Sequence, residues 1–158
     1  MKLIILDRDG VINQDRDDFV KSADEWIPIA GSMDAIAFLT EAGYTVAVAT
    51  NQSGIGRKYF TMQELTEMHN KMHRLAQQAG GVIDGIWFCP HTAADGCDCR
   101  KPAPGMVNDI LSRFNAEVAD TWLVGDSLRD LQAIAAVGGK PALVLTGKGK
   151  KTLAAEGD

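Results

Sequence analysis

The chain has 158 residues, of which 46% are hydrophobic and 23% charged, and its formal net charge is −5. This length and composition predict a single domain over residues 1–158 with a buried core. The negative charge argues against nonspecific nucleic-acid binding, which needs a basic surface. The apolar segment at the start is too short for a signal peptide, and no apolar run is long enough to span a membrane. We therefore expect a cytoplasmic protein without nucleic-acid or membrane partners.

Five short apolar runs predict strands of the kind buried in parallel sheets. In chain order they are residues 2–6, 44–50, 85–89, 121–125 and 141–145. The predicted helices run from a Ser32 cap to Gly43, from Thr61 to residues 80–81, from Pro104 onward, and from about Leu128 to Gly138. Glu64 lies three residues after Thr61, which predicts a capping box. Alternating strands and helices predict an α/β fold, a doubly wound and mostly parallel sheet with helices on both faces.

Polar residues follow three of the predicted strands. They are Asp7 and Asp9 after the first, Thr50 at the end of the second, and Asp126 after the fourth, with Asp130 one turn into the next helix. Each segment alone is also typical of a turn or a helix cap. The carboxyl ends of parallel strands share one sheet edge, however, and clustered carboxylates need a cation there. Oxygen ligands favour Mg²⁺, and Lys101 beside such a site indicates a phosphate, so we expect phosphoryl transfer.

All three cysteines and one of the three histidines lie in one polar loop, at Cys89, His91, Cys97 and Cys99. Three thiolates and one imidazole form a closed tetrahedral set, which suits structural Zn²⁺. The alternative is that these are ordinary small residues of a loop. Cysteine is usually buried inside regular elements, however, and cytosolic thiols stay reduced, so we favour zinc. Zinc binding would order a loop that has little core of its own and would fix the neighbouring cations.

These motifs, in this order, resemble the haloacid-dehalogenase-like phosphohydrolases: D-x-D-G-V, T-N after the second strand, a lysine, then G-D-x-x-x-D. The resemblance implies that Asp7 is the nucleophile and forms an aspartyl-phosphate, and that Asp9 is the general acid and base. Thr50 and Lys101 would hold the transferring phosphoryl group. The Mg²⁺ ligands it implies are the carboxylates of Asp7 and Asp126 and the backbone carbonyl of Asp9, with Asp130 supporting them from behind.

The zinc-loop motif C-P-H…C-D-C-R-K-P-x-P-G-M, with D-R-D-G-V-I-N and T-N-Q-S-G-I-x-R, is similar to one branch of that family. This branch removes the 7-phosphate of D-glycero-D-manno-heptose 1,7-bisphosphate, in the synthesis of nucleotide-activated heptose for lipopolysaccharide and other surface glycans. The resemblance implies contacts to the sugar or to its second phosphate from Asp15, Arg16, Asp17, Asp18, Asn51, Gln52, Ser53, Arg57, Arg100 and Ser127.

Two departures from the branch leave the substrate open. The five residues between His91 and Cys97 make a shorter loop than many heptose phosphatases have, and resemble the histidinol-phosphate phosphatases. Ser127 stands where some members have a lysine. Histidinol phosphate is therefore the alternative substrate. An alternative from another class, a phosphate-accepting signalling receiver domain, is disfavoured because its aspartate would follow the third strand, which here ends in Cys89.

No insertion between the motifs is long enough for a cap domain, so only residues 14–28, residues 53–60 and the zinc loop can surround a substrate. This predicts an open site for a small phosphosugar and, most simply, a monomer. His69 and His73 lie four residues apart on the second predicted helix, as paired metal ligands can. No third ligand accompanies them, so we expect surface or packing roles for both.

Overall fold

A computed structural model describes residues 2–156 of the chain. Five strands form one sheet: β1 (Lys2–Leu6), β2 (Tyr44–Asn51), β3 (Gly85–Cys89), β4 (Trp122–Gly125) and β5 (Lys140–Leu143). Their order across the sheet is β3-β2-β1-β4-β5, and every pairing is parallel. The chain thus moves outward from β1 to one edge and then returns to fill the other, which confirms the predicted doubly wound α/β architecture.

The helices are α1 (Ser32–Glu41), α2 (Ser53–Gly56), α3 (Met62–Gln78), α4 (Gly105–Phe114), α5 (Leu128–Ala135) and α6 (Gly149–Glu156). Two single turns of 3₁₀ helix lie at Ala93–Asp95 and Val118–Asp120. Within residues 2–156, no helix has both the length and the apolar character needed to cross a membrane. The sequence did not predict α2 or α6, because α2 has one turn and α6 lacks a strong apolar period.

The two faces of the sheet carry separate apolar cores. Side chains alternate along a strand, so Leu3 and Ile5 of β1 pack on one face, with residues of α4 and α5. Ile4 and Leu6 pack on the opposite face, with residues of α1 and α3. Because one sheet carries both cores, we infer that the described residues belong to one domain.

The helix ends test the predicted caps. The Thr61 capping box is confirmed: the Glu64 backbone N–H donates to Thr61 Oγ1 at 3.1 Å, and the Thr61 N–H donates to Glu64 Oε1 at 2.9 Å. The Ser32 cap is wrong. Gly31, at a φ of 86°, precedes α1, no side chain caps the helix, and Ser32 Oγ donates instead to the Ile12 carbonyl at 2.7 Å. The first helix also ends at Glu41, two residues before Gly43.

The last two predicted elements are shifted or shorter. The strand predicted at residues 141–145 lies at Lys140–Leu143, and the helix predicted to reach Gly138 ends at Ala135. Pro141 is tolerated inside β5 because this strand is at the edge of the sheet, where one side of the backbone has no ladder to complete.

Candidate active site

The predicted catalytic residues converge at the carboxyl edge of β1, β2 and β4, around a polar cavity of about 240 Å³. Asp7, Asp9, Lys101, Asp126 and Asp130 all line this cavity. Asp7 and Asp126 converge because β1 and β4 are parallel and each is followed at once by an aspartate, whereas Lys101 comes from the loop before α4 and Asp130 from the first turn of α5. One carboxylate oxygen from each of Asp7, Asp126 and Asp130 lies within 4.8 Å of the others, and we call these three residues the carboxylate cluster.

Lys101 is the cation at the centre of the cluster, and its side chain is 3% exposed. Its ammonium donates to Asp7 Oδ1 at 3.0 Å, to the Ala49 carbonyl at 2.9 Å, and to Asp130 Oδ1. The backbone of Lys101 is held as well, because its N–H donates to Asn51 Oδ1 at 2.9 Å and its carbonyl accepts from Asn51 Nδ2 at 3.1 Å. Asn51 thus clamps the loop that presents the lysine.

Glycines allow two loops to approach the carboxylate of Asp126. A Cβ added at Gly10 would lie 2.1 Å from Asp126 Oδ2, and one added at Gly147 would lie 2.3 Å from the same atom. Both glycines also have a positive φ, of 87° and 55°. The Lys148 backbone N–H donates to this oxygen at 2.9 Å, so Asp126 is oriented by the main chain of residues near the end of the chain.

Asp9 is held by four hydrogen bonds. Its Oδ1 accepts from Arg8 Nε at 3.2 Å, from Arg8 Nη2 at 2.8 Å and from Asn13 Nδ2 at 2.9 Å. Its Oδ2 accepts from Gln52 Nε2 at 2.9 Å. The same Gln52 nitrogen donates to Thr50 Oγ1 at 2.9 Å, so Gln52 links the predicted acid and base to the predicted phosphate-binding threonine. Thr50 is buried and does not itself line the cavity.

The charges around the site shift the acids in opposite directions. Burial, followed by the neighbouring Asp130 carboxylate, raises the pKa of Asp7 well above its ordinary value, although Lys101 opposes the shift. Burial also raises the pKa of Asp126, partly offset by the Lys148 N–H. Burial acts likewise on Asp9, but the Arg8 charge and the hydrogen bonds from Asn13, Arg8 and Gln52 outweigh it and lower the pKa of Asp9.

The donor set therefore fits a hard divalent cation. Three carboxylates crowd one point, and only one buried ammonium offsets them. Burial raises the pKa values of Asp7 and Asp126, and the neighbouring carboxylates add to the shift. A divalent ion beside Asp7 and Asp126 would favour their ionised forms, and carboxylate oxygen is the ligand that Mg²⁺ prefers.

Eight of the ten predicted substrate contacts line the cavity: Asp15, Arg16, Asp17, Asn51, Gln52, Ser53, Arg57 and Arg100. Asp18 does not, because its exposed side chain is paired with Arg16 and Lys21 on the surface. Ser127 does not either, because its hydroxyl donates to Asp130 Oδ2 at 3.1 Å in a capping box at the start of α5. A substrate contact from either residue is not supported by this geometry.

Several residues of the site were missed by sequence reasoning. Arg129 and Lys148 line the cavity, and Arg8, Asn13 and His69 surround Asp9 from inside the protein. Arg8 and Asn13 stand in the D-R-D-G-V-I-N motif, which was the available signal. His69 lies 61 residues from Arg8, and nothing in the sequence pairs them. The buried His69 agrees with the expected packing role and adds a contact with Arg8, and the exposed His73 agrees with the expected surface role.

A second cluster lies beside the cavity, where Cys89, His91, Cys97 and Cys99 face one another; we call it the thiolate cluster. Cys89 Sγ lies 3.5 Å from His91 Nδ1 and 3.5 Å from Cys97 Sγ, and Cys99 Sγ lies 3.3 Å from His91 Nδ1 and 3.6 Å from Cys97 Sγ. None of the thiols is in a disulfide. Ligands about 2.3 Å from a central zinc ion would be separated by about 3.8 Å in a tetrahedron, so the spacing fits one metal ion.

Electrostatics within the thiolate cluster favour at least one thiolate. Burial raises the pKa of Cys89 and of Cys99. At Cys97 burial is outweighed by the backbone N–H of Arg100 and by the neighbouring thiols, which together lower its pKa to about 6. A thiolate is the form of cysteine that binds metals. Arg100 follows the last ligand and lines the cavity, which connects this cluster to the active site.

Carboxylates and a buried lysine at the switch point of a doubly wound sheet define the catalytic centre of a phosphohydrolase. A family model for haloacid dehalogenase-like hydrolases matches residues 2–138, and the chain belongs to this family. The matched region includes the whole carboxylate cluster and the whole thiolate cluster.

The relatives narrow the class further. The chain is 82% identical over 157 residues to the D-glycero-β-D-manno-heptose-1,7-bisphosphate 7-phosphatase of Neisseria meningitidis serogroup A, covering 99% of this chain and 84% of the relative. It is 59% identical to the protein of that name from Bordetella bronchiseptica, covering 99% and 88%. A crystal structure of D,D-heptose 1,7-bisphosphate phosphatase from B. bronchiseptica complexed with magnesium and phosphate superposes with a TM-score of 0.96, at 59% identity, covering 98% and 87%. The predicted family and the phosphatase class are confirmed.

Proposed function

We propose that this chain removes the 7-phosphate of D-glycero-β-D-manno-heptose 1,7-bisphosphate in a Mg²⁺-dependent reaction. The observation that carries the proposal is the convergence of Asp7, Asp9, Lys101 and Asp126 on one cavity, in a chain 82% identical to a phosphatase named for that substrate. The cavity also holds cations for a second phosphate, since Arg57, Arg100 and Arg129 line it and none has a carboxylate partner within the described residues.

In the first step Asp7 is the nucleophile. One of its carboxylate oxygens attacks the phosphorus of the 7-phosphate, the bond between phosphorus and the sugar oxygen breaks, and an aspartyl-phosphate forms. In the free protein the pKa of Asp9 is lowered, and the negative charge of the bound phosphate would raise it. Asp9, protonated in the complex, gives its proton to the departing sugar oxygen. Lys101 is within hydrogen-bond distance of Asp7 and offsets the charge of the transferred group. Bound Mg²⁺, held by Asp7, Asp126 and the Asp9 carbonyl, would neutralise phosphoryl charge, and Asp130 would keep Lys101 in place.

In the second step water attacks the phosphorus of the aspartyl-phosphate, and the bond to Asp7 breaks. Asp9, now ionised, takes a proton from this water and so returns to its starting state. The sum of both steps is one heptose 1-phosphate and one inorganic phosphate for each bisphosphate and water consumed. Gln52 touches both Asp9 and Thr50, so the group that moves protons and the group proposed to hold phosphate share one support.

We also propose that the thiolate cluster binds one structural Zn²⁺. Four protein ligands leave no position open for water, which is typical of structural rather than catalytic zinc. The cluster needs reduced thiols, which agrees with a cytoplasmic location. A monomer and a role in nucleotide-activated heptose synthesis stay predictions from the open site and from the resemblance. Metal analysis of the purified protein should find about one zinc per chain; a zinc-free protein of normal activity would contradict this assignment.

The test of the function is Mg²⁺-dependent phosphate release from the α and β anomers of heptose 1,7-bisphosphate and from histidinol phosphate, compared as kcat/KM. We expect the β anomer to be preferred by tenfold or more, which corresponds to about 1.4 kcal/mol in the transition state. Phosphorus NMR should show that the 1-phosphate is retained. A preference for histidinol phosphate would overturn the substrate and leave the chemistry in place.

A further inference from the structure

Arg8 carries a fully buried charge beside the catalytic centre. Its side chain is 0% exposed, and the only carboxylate within ion-pair distance, among residues 2–156, is that of Asp9. Burying a guanidinium is costly unless its donors are paired. Two of its nitrogens donate to Asp9 Oδ1, and the third, Nη1, lies 3.2 Å from His69 Nε2 and 3.9 Å from Met68 Sδ. All three guanidinium nitrogens therefore have a partner, which fixes the orientation of the side chain.

The hydrogen bonds divide the two oxygens of Asp9 into different roles. Oδ1 accepts three protein donors, two from Arg8 and one from Asn13, whereas Oδ2 accepts one, from Gln52. A carboxylate oxygen with three donors has little capacity left for a further partner. Since the Asp9 side chain is 25% exposed and lines the cavity, Oδ2 is the atom available to exchange a proton with substrate or water.

His69 orients the guanidinium group of Arg8. Arginine has donors only, so the close contact requires that His69 Nε2 accept, which fixes the neutral imidazole with its proton on Nδ1. The surroundings agree with this state: burial, followed by the Arg8 charge, lowers the pKa of His69 to about 3. His69 lies in the middle of α3, packed among the buried residues Leu65, Met68 and Met72 of that helix. A rigid helix thus supports the arginine.

We propose that Arg8, oriented by the imidazole of His69, is a positioning residue that holds Asp9 with Oδ2 aimed at the leaving oxygen of the substrate. The inference rests on the proposed function, because it assigns a role within that reaction. A buried ion pair with only a structural role would affect every substrate equally when lost. A positioning role acts on proton transfer. Removing it should therefore lower kcat/KM more for a substrate whose leaving group needs a proton than for one whose leaving group does not.

The experiment compares an alkyl phosphate, heptose 1,7-bisphosphate, with p-nitrophenyl phosphate, whose leaving group departs without a proton. The parameter is kcat/KM, which reports only the steps up to aspartyl-phosphate formation. Arg8→Met and His69→Leu should lower the alkyl-to-aryl ratio of kcat/KM by about 10–100-fold, part of the 10²–10⁴-fold typical of general acid catalysis. His69→Gln keeps an acceptor for Arg8 and should stay within about threefold of wild type. The matched control is His73→Leu, an exposed histidine one turn along α3, which should not change the ratio.

A second readout follows from the later role of Asp9 as base. Hydrolysis of the aspartyl-phosphate needs Asp9 with either substrate, so a misplaced Asp9 should make this step limiting. Arg8→Met should then show a burst of p-nitrophenolate that approaches one equivalent per chain. Equal losses of kcat/KM on both substrates, or an unchanged ratio in folded variants, would overturn the positioning role.

Controls separate this inference from its premise. If circular dichroism finds Arg8→Met unfolded, the pair His69→Leu and His69→Gln decides, because both keep the ion pair between Arg8 and Asp9. A wild-type protein that releases phosphate from neither substrate would overturn the proposed function itself. An active wild type in which His69→Leu behaves like His73→Leu overturns the positioning role alone.

Discussion

The chain contains two clusters able to hold a metal, and they are built in opposite ways. The carboxylate cluster offers hard oxygen ligands from distant parts of the chain, since positions 126 and 130 lie more than a hundred residues after position 7, and it faces a cavity. The thiolate cluster offers sulfur and nitrogen from a single stretch of chain, residues 89–99, and its four ligand atoms lie within 4.8 Å of one another. Ligand chemistry predicts a different metal for each: Mg²⁺ for the first and Zn²⁺ for the second.

The difference shows how each cluster depends on the fold. The carboxylate cluster exists only after β1 and β4 have paired in parallel, because Asp7 follows β1 and Asp126 follows β4. Lys101 offsets only part of its negative charge, and Asn51 clamps the loop that carries this lysine. The thiolate cluster closes within its loop, so a metal bound there would order that loop locally. The two clusters are connected along the chain at Cys99-Arg100-Lys101. Arg100 and Lys101 directly follow the last residue of the thiolate cluster, and both line the cavity.

The largest effect should come from removing the nucleophile. Asp7→Asn keeps the shape of the side chain but cannot form the aspartyl-phosphate, so kcat should fall by about 10⁴-fold or more. The Tm should not fall, because the buried and crowded carboxylate is lost. Phosphate release and thermal unfolding measure the two properties. The exposed Asp109→Asn serves as the control, and substantial turnover by Asp7→Asn would refute the nucleophile assignment.

The next effect concerns the acid and base. Asp9→Asn should lower kcat/KM for the heptose bisphosphate by about 10²–10⁴-fold, the size typical of general acid catalysis. The loss on p-nitrophenyl phosphate should be smaller, since that leaving group needs no proton. Steady-state kinetics on both substrates measure the two losses. A near-native rate on the sugar substrate would show that another group donates the proton.

The thiolate cluster should affect stability more than chemistry. Cys97→Ser removes one ligand, so the zinc content should fall well below one per chain and the unfolding free energy by about 3 kcal/mol or more. Activity should fall less than in Asp7→Asn, because the acids of the site remain. Metal analysis and denaturant unfolding test this, with Asp98→Asn as a control in the same loop. Unchanged zinc and stability would exclude the structural role.

The smallest effect is the pH dependence of Mg²⁺ binding. In the folded protein the pKa values of Asp7 and Asp126 are raised, so without metal the folded state binds more protons than the unfolded state in that range. The free energy of unfolding should therefore decrease as pH rises from about 3.9, the pKa of an unfolded aspartate, through the raised pKa values.

Mg²⁺ competes with these protons for the carboxylates. At about 100 times its Kd it should add about 2.7 kcal/mol to the free energy of unfolding at pH near 8, and less at pH near 5. A Tm gain that did not depend on pH would contradict the raised pKa values.

The sequence by itself determined the five strands, four of the six helices and the acidic residues that follow β1 and β4. Short apolar runs and a capping box are local signals, so β1, β3 and the start of α3 lie where the pattern predicts them. The convergence of the acids was also predictable, because parallel strands bring their carboxyl ends to one edge. The cysteine loop was predictable for a similar reason, since its four ligands are close along the chain.

Only the tertiary structure decided how the site is supported. The contact of His69 with Arg8, the Asn51 clamp on Lys101, and the approach of Gly147 to Asp126 each join residues that are distant in sequence. No local period encodes them, because they arise where α3 and the loops pack on the sheet edge. Ser127 and Ser32 mark the boundary between the two. The Ser127 hydroxyl donates to Asp130, three residues further along the chain, in a local capping box. The Ser32 hydroxyl donates to the carbonyl of Ile12, an acceptor that only packing placed within reach.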